Sequence, residues 1–173
     1  MDTLEAIKYR YSCRAFKPEQ ISKEQTEMLI EAAKAAPAAM GDYSGIFLMV
    51  IQSEEIRKQI DKETAFSMPM MGEHPTYEAP TLMLICVKEN KDFPMIPYCN
   101  VSCMAENIMI EATALGLASV YIMAVPTVLQ QKKEFMKRLK ITGEFIPAVM
   151  VAVGYAKDEV ECTRENKIIC KCM

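Results

Sequence analysis

Residues 104–122 read MAENIMIEATALGLASVYI. Taken from Ser102, the run up to Gly116 forms a long helix that is apolar almost all the way round. Gly116 stands where a helix ends, because glycine adopts the left-handed backbone that closes one. SVYIM, residues 119–123, follows as a short strand. A helix with no broad polar face belongs in the middle of something, either a core or a subunit interface. The rest of the chain arranges itself around it.

Upstream, TLMLICV (81–87) and IFLMVIQ (46–52) are short continuous apolar runs, and downstream IPAVMVAVGY (146–155) is a third. All three predict buried strands. ISKEQTEMLIEAAKAAP (21–37) is a punctuated helix: Ser22 caps it, Gln25 completes a capping box, and Pro37 stops it. Met28, Leu29, Ala32, Ala33 and Ala36 form its apolar stripe. Ser53, Glu54 and Glu55 open a short helix, with acids where the helix dipole favours them. Residues 61–79 read as irregular, with Met68, Met70 and Met71 among prolines. Thr127 and Gln130 repeat the capping-box spacing and predict a helix through QQKKEFMKRLK. Strands and helices alternate without Gly/Ser-rich linkers or internal repeats, which predicts one α/β or α+β layered domain over 1–173, with 156–173 as a C-terminal extension.

Composition narrows the function classes. Hydrophobic residues are 51% of 173 and charged residues 25%, enough to bury a substantial core. The formal net charge of -3 gives no broad basic face for nucleic acid. No apolar run approaches the roughly 20 residues of a membrane-spanning helix. MDTLEAIKYR has no charged-then-apolar signal pattern, so the expected compartment is the cytoplasm. The seven cysteines are then expected as reduced thiols. Cys99 and Cys103 share a helix face, while Cys162, Cys170 and Cys172 cluster late. The spacing supports a zinc site only weakly, since the usual pattern pairs C-x-x-C with a second such pair or with histidines, and a thiol-responsive or metal-responsive tail is the third-ranked reading.

There is no G-x-G-x-x-G after a strand, no phosphate-loop lysine motif and no G-x-S-x-G elbow. The single histidine, His74, excludes a His-rich metal site. Chemistry must come from a bound cofactor if there is any. The candidate anchor is RYSCRAF, residues 10–16, where Arg10, Ser12 and Arg14 stand close together. Arginine presents a planar fork that meets two phosphate oxygens, and a hydroxyl adds a compact donor. On spacing alone the stretch is either a solvated face or an anion site.

RYSCRAFKPEQISKEQTEMLIEAAKAAPAAM, YEAPTLMLICV, MAENIMIEATALGLASVYI and IPAVMVAVGYA together, in that order, resemble the nitroreductase family of FMN-dependent oxidoreductases over about residues 4–156. The resemblance implies an α+β, three-layer fold with a central, mostly antiparallel sheet flanked by helices. It also implies an intertwined homodimer with FMN at the interface. Carried over, Arg10 and Ser12 fall where the family grips the FMN phosphate, and Arg14 lies toward the N1/O2 side of the flavin. A guanidinium there stabilises the negative charge left on N1 and C2=O by hydride addition at N5. Pro37, Ala38, Ala39 and Met40 match the stretch laid against the ring by the other subunit. Ile122, Met123 and Ala124 match the strand end whose backbone approaches N5 and O4. Arg164 or Lys167 matches a further basic residue on the phosphate.

Two departures stand out. AAMGDYSGI (38–46) puts Gly41 at a position where the family carries asparagine and Tyr43 near one where it carries glutamine. Ala124 replaces a small, glycine-like position. Asn100 and Glu106 on the central helix fit core packing and capping as well as flavin contact. The implied activity is hydride transfer from NADH or NADPH through FMN to a nitroaromatic, quinone or similar electron-poor acceptor, by a ping-pong mechanism. The alternative is an FMN-binding protein without efficient turnover. The Met-rich segment and His74 either border the acceptor pocket or pack over the partner subunit.

Overall fold

The computed structural model describes residues 1–141, 143–158 and 168–172. Strands β1 (Ile46–Ile51), β2 (Thr81–Lys88), β3 (Ala118–Ile122) and β4 (Phe145–Gly154) form one sheet in the order β1-β2-β4-β3, every neighbouring pair antiparallel. The helices are α1 (Thr3–Tyr9), α2 (Lys23–Lys34), α3 (Glu54–Ser67), α4 (Ile96–Ala114), α5 (Ala124–Leu129) and α6 (Lys133–Arg138).

The inner strands explain the layering. Residues 81–87 of β2 are all buried, so their unbroken apolar run serves two faces at once. Leu82, Leu84 and Cys86 join a core with Ile60 of α3, Val125 and Leu129 of α5, and Phe135 and Met136 of α6. Met83, Ile85 and Val87 point the other way, into a core with Leu29 and Ala33 of α2 and with Val101, Ala105, Ile108 and Ala112 of α4. The result is the expected three-layer α+β sandwich with the antiparallel sheet in the middle. Between β2 and β4 the register slips, with Ile85 opposite Val149 but Cys86 opposite Pro147. A bulge is where a proline, which has no N–H for the ladder, fits inside a strand.

The end of α4 closes as its sequence dictates. Gly116 has φ +73. Its N–H donates to Thr113 O at 3.0 Å, and the Leu117 N–H donates to Ala112 O at 2.8 Å, which is the paired closure of a Schellman motif. The helix begins earlier than expected, at Ile96, with Pro97 in its first turn. The capping box of Ser22 and Gln25 is formed in α2, although Met28 of its predicted stripe is exposed.

Five expectations are corrected. Residues 61–67 are helical, because α3 runs for 14 residues from its Ser53 cap and buries Ile60, Asp61 and Thr64 before Pro69 follows. The helix opened by Ser53–Glu55 is therefore not short. Thr127 is not a cap: it lies inside α5, and its hydroxyl donates back to Met123 O at 3.0 Å. The helix expected through 130–140 is instead the six-residue α6, while Gln130 ends α5 and donates its amide to Pro147 O at 2.7 Å. Finally β1 is an edge strand in which only Ile51 is buried.

Cys86 gives the core a chemical readout. Burial pushes its thiol pKa up to about 12. The thiolate is the reactive species, so Cys86 is expected to resist iodoacetamide in the native protein at mildly alkaline pH and to react once the chain is unfolded. Peptide mapping after native labelling checks this; native-state modification of Cys86 as fast as that of the exposed Cys170 would contradict the packing.

Candidate functional site

Arg10 lies one residue past α1, with its N–H donating to Ala6 O at 3.0 Å. From there the chain runs extended and is stitched to the sheet. Ser12 bridges Ser119 at the start of β3, and the Cys13 N–H donates to Ser119 O at 2.9 Å. Phe16 pairs with Ala156, the Lys17 N–H reaches Tyr155 O and the Lys157 N–H reaches Ala15 O, both at 2.9 Å. Cys13 and Phe16 turn inward and are buried, while Ser12, Arg14 and Ala15 are exposed. The Arg10 side chain is only 17% exposed, and its Nε lies 3.3 Å from Glu106 Oε1 on α4. The Arg14 terminal nitrogen donates to Ser12 O at 3.5 Å. A cationic, hydroxyl-bearing edge is therefore held on a rigid backing.

The second segment, 36–45, leaves α2 and bends back. Ala39–Gly41 form a short 3-10 turn in which Met40 adopts φ 58 and ψ 12, a left-handed conformation, with its side chain 89% exposed. Such a conformation costs a non-glycine residue roughly 1 kcal/mol or more. Two contacts hold it: the Ala39 N–H donates to Asn100 Oδ1 at 3.0 Å, and the Tyr43 hydroxyl donates to Ala36 O at 3.0 Å. Asn107 adds a third anchor nearby, its amide donating to Ala32 O at 3.1 Å. Tyr43, at the departed position, thus closes the loop onto the end of α2.

Ile122 ends β3 buried, Met123 is 58% exposed, and Ala124 begins α5. From Ser119 to Met123 is about 13 Å along an extended chain. Beside the bend of 39–41 lies a cavity of about 340 Å³, bordered by Ala39, Met40, Asp42, Lys88 and Asn100. A second, apolar hollow of about 490 Å³ runs along β1 between Phe47, Val50, Ile30 and Met104.

The structure therefore sets Arg10, Ser12 and Arg14 on the edge by Ser119 and Glu106, and anchors the 37–40 stretch to Asn100 through the Ala39 N–H. Both groups are tied to α4, at positions about 9 Å apart along its axis. Arg164, Lys167 and Cys162 lie outside the described residues. Asn107 and the hydroxyl of Tyr43 were not singled out for these roles by sequence; their only signal was a polar residue within an otherwise apolar helix or loop. Among the described residues no group of three His, Cys, Asp or Glu side chains could hold a metal, and no helix is long and apolar enough to cross a membrane.

His74 stands beside Asp61 of α3. Its Nδ1 is 3.8 Å from Asp61 Oδ2, and Asp61 also accepts the Thr76 N–H at 2.8 Å. Burial pushes the Asp61 pKa above the ordinary carboxylate range, against the pull of the Thr76 hydrogen bonds and of His74. A carboxyl with a raised folded pKa contributes stability below its unfolded pKa and loses it as pH rises through the folded value. Ionised Asp61 is thus unfavourable at neutral pH. Asp61→Asn, whose amide oxygen still accepts from Thr76, is expected to raise Tm at neutral pH and to match the parent near about pH 3.9, the ordinary Asp pKa. Thermal melts across that range check it; a lower neutral-pH Tm for the variant would show that the ionised group stabilises the fold.

The family model described as Nitroreductase family matches residues 7–155. A Methanothermobacter thermautotrophicus protein with the provisional name NADH dehydrogenase/NAD(P)H nitroreductase is 26% identical over 157 residues, covering 90% of this chain and 78% of its own. An Archaeoglobus fulgidus protein of the same provisional name is 28% identical over 162 residues, covering 91% and 87%. In fold, the chain is similar to a nitroreductase with bound FMN from Desulfitobacterium hafniense, with a TM-score of 0.86 at 24% identity over 99% of both chains. It is also similar to one with bound FMN from Bacteroides fragilis, at 0.83 and 24% over 100% of both.

Proposed function

This chain belongs to the nitroreductase family, and from that membership we propose that it is an FMN-dependent oxidoreductase that draws on NADH or NADPH. Bound FMN would supply the chemistry, accepting hydride at N5 and passing it to a nitroaromatic, quinone or similar electron-poor acceptor on the same ring face, in ping-pong order. The observation that carries this reading is the cationic edge of residues 10–14. A mostly buried guanidinium, an exposed hydroxyl and a second, exposed guanidinium stand on one stitched segment. That donor set fits a phosphate dianion.

In this reading Arg10 and Ser12 hold the phosphate, and Arg14 faces the N1/O2 side, where negative charge develops. Ile122, Met123 and Ala124 offer backbone to the ring, at a distance along β3 that separates a charged tail from a ring. Arg164 or Lys167 supplies a further cation. Pro37, Ala38, Ala39 and Met40 cover the ring of a second chain. A homodimer is supported by exposed apolar side chains that one chain leaves uncovered, notably Leu4 and Tyr9 of α1 and Met40. The reaction belongs to the cytoplasm, with a small molecule as the electron acceptor.

The test is a visible spectrum of the purified protein, then anaerobic addition of NADH or NADPH. Flavin bands that bleach support the proposal. Bound FMN that stays yellow supports an FMN-binding protein without efficient turnover, the reading favoured by Gly41 and Tyr43 in place of the amide residues. Colourless protein that refuses added FMN overturns both. Light scattering on the same sample reports whether two chains associate.

A further inference from the structure

Arg10 and Glu106 are far apart in sequence and meet across the α1–α4 contact. We propose that Glu106 is a positioning residue: its ion pair holds the Arg10 guanidinium in the place from which that fork grips a phosphate, an inference that rests on the FMN reading.

The geometry is asymmetric in a useful way. The carboxylate lies against Nε, 3.3 Å away, on the edge of the guanidinium nearest the side-chain stem. A fork-like grip on phosphate uses the terminal nitrogens at the other end of the plane. That ion pair restrains the head of the side chain from the edge opposite the terminal nitrogens, and it does so by charge, because Nε is not aligned to hydrogen-bond the carboxylate. Arginine carries much rotameric freedom, and a site that holds one rotamer before the ligand arrives does not lose that freedom on binding. Glu106 is itself well placed to act as a reference point. It sits in the middle of α4 between the buried Ala105 and Ile108, and its neighbour Asn107 is tied to Ala32 O.

An ordinary solvated ion pair is worth little, but Arg10 is only 17% exposed, against 46% for Glu106, so this pair is not fully solvated. A carboxylate acting purely through its charge would repel the phosphate, and removing it would tighten binding. Positioning predicts the opposite sign.

The experiment titrates FMN and riboflavin, which lacks the phosphate, into flavin-free parent, Glu106→Ala and Glu106→Gln proteins. Glu106→Ala is expected to weaken FMN by about tenfold, the order seen when an outer partner of a ligating group is removed, and to leave riboflavin unchanged. Glu106→Gln, which keeps the length of the side chain but not the charge of the ion pair, should weaken FMN to a similar extent. In an Arg10→Ala background, Glu106→Ala should no longer alter the ratio of the two affinities. If Glu106→Ala does not fold, Glu106→Met, of similar length and without a strong acceptor, carries the same reading. FMN binding that is unchanged or tighter, or FMN and riboflavin falling in parallel, would overturn the proposal. A parent that binds riboflavin and FMN equally defeats the phosphate assignment itself, and a parent that binds neither defeats the FMN reading.

Discussion

Arg10→Ala is expected to weaken FMN binding by roughly 30- to 100-fold, corresponding to the loss of about 2–3 kcal/mol of charge-assisted hydrogen bonding. The loss stays below that for a fully buried fork because Ser12 and Arg14 remain on the exposed edge beside it. Riboflavin affinity should change little, and the salt dependence of FMN binding should fall with the lost cation. Fluorescence titration of flavin-free protein at two ionic strengths measures all three quantities. A variant that purifies with FMN at full occupancy would remove Arg10 from the phosphate site. It would also leave the pairing with Glu106 without a ligand-related purpose.

Gly154→Ala is expected to be the most damaging single-methyl change in the chain. A Cβ at that position would lie 2.6 and 2.8 Å from the Pro80 ring and 3.1 Å from Phe16. A proline ring cannot swing aside as a long side chain can, so β4, the start of β2 or the segment 10–17 must shift. The expected cost is about 3 kcal/mol, or a fall in Tm of about 10 °C for a chain of this size. Because Phe16 lies two residues after Arg14, FMN affinity should fall as well. Calorimetry with and without FMN checks both effects; a Tm within about 2 °C of the parent, less than one kcal/mol, would show that this contact yields easily.

The parts of the fold that were legible in the sequence are those governed by local chemistry. The Ser22 and Gln25 box, the glycine stop at 116 and the unbroken runs of β2 and β4 depend on near neighbours, and all are present. Where local signals mislead, a distant partner decides. Thr127 and Gln130 have capping-box spacing, yet the chain is already helical from Ala124, and Gln130 is drawn to Pro147. β1 reads as buried because its residues are apolar, while its place at the sheet edge leaves most of it half covered. The polar content of α3 hid its last two turns behind the methionines that follow. The candidate site divides in the same way. Arg10, Ser12 and Arg14 were visible as a motif. Their support was not, since Glu106, Asn100 and Asn107 act on residues 61 or more positions away along the chain.

α4 serves as a common ruler for these grips. Asn100 steadies the bend at Ala39, Glu106 meets Arg10, and Asn107 holds the end of α2. In the proposed homodimer, where the bend of one chain would cover the ring held by the other, each such rod would brace parts of two sockets at once, so damage to a single α4 would be felt at both.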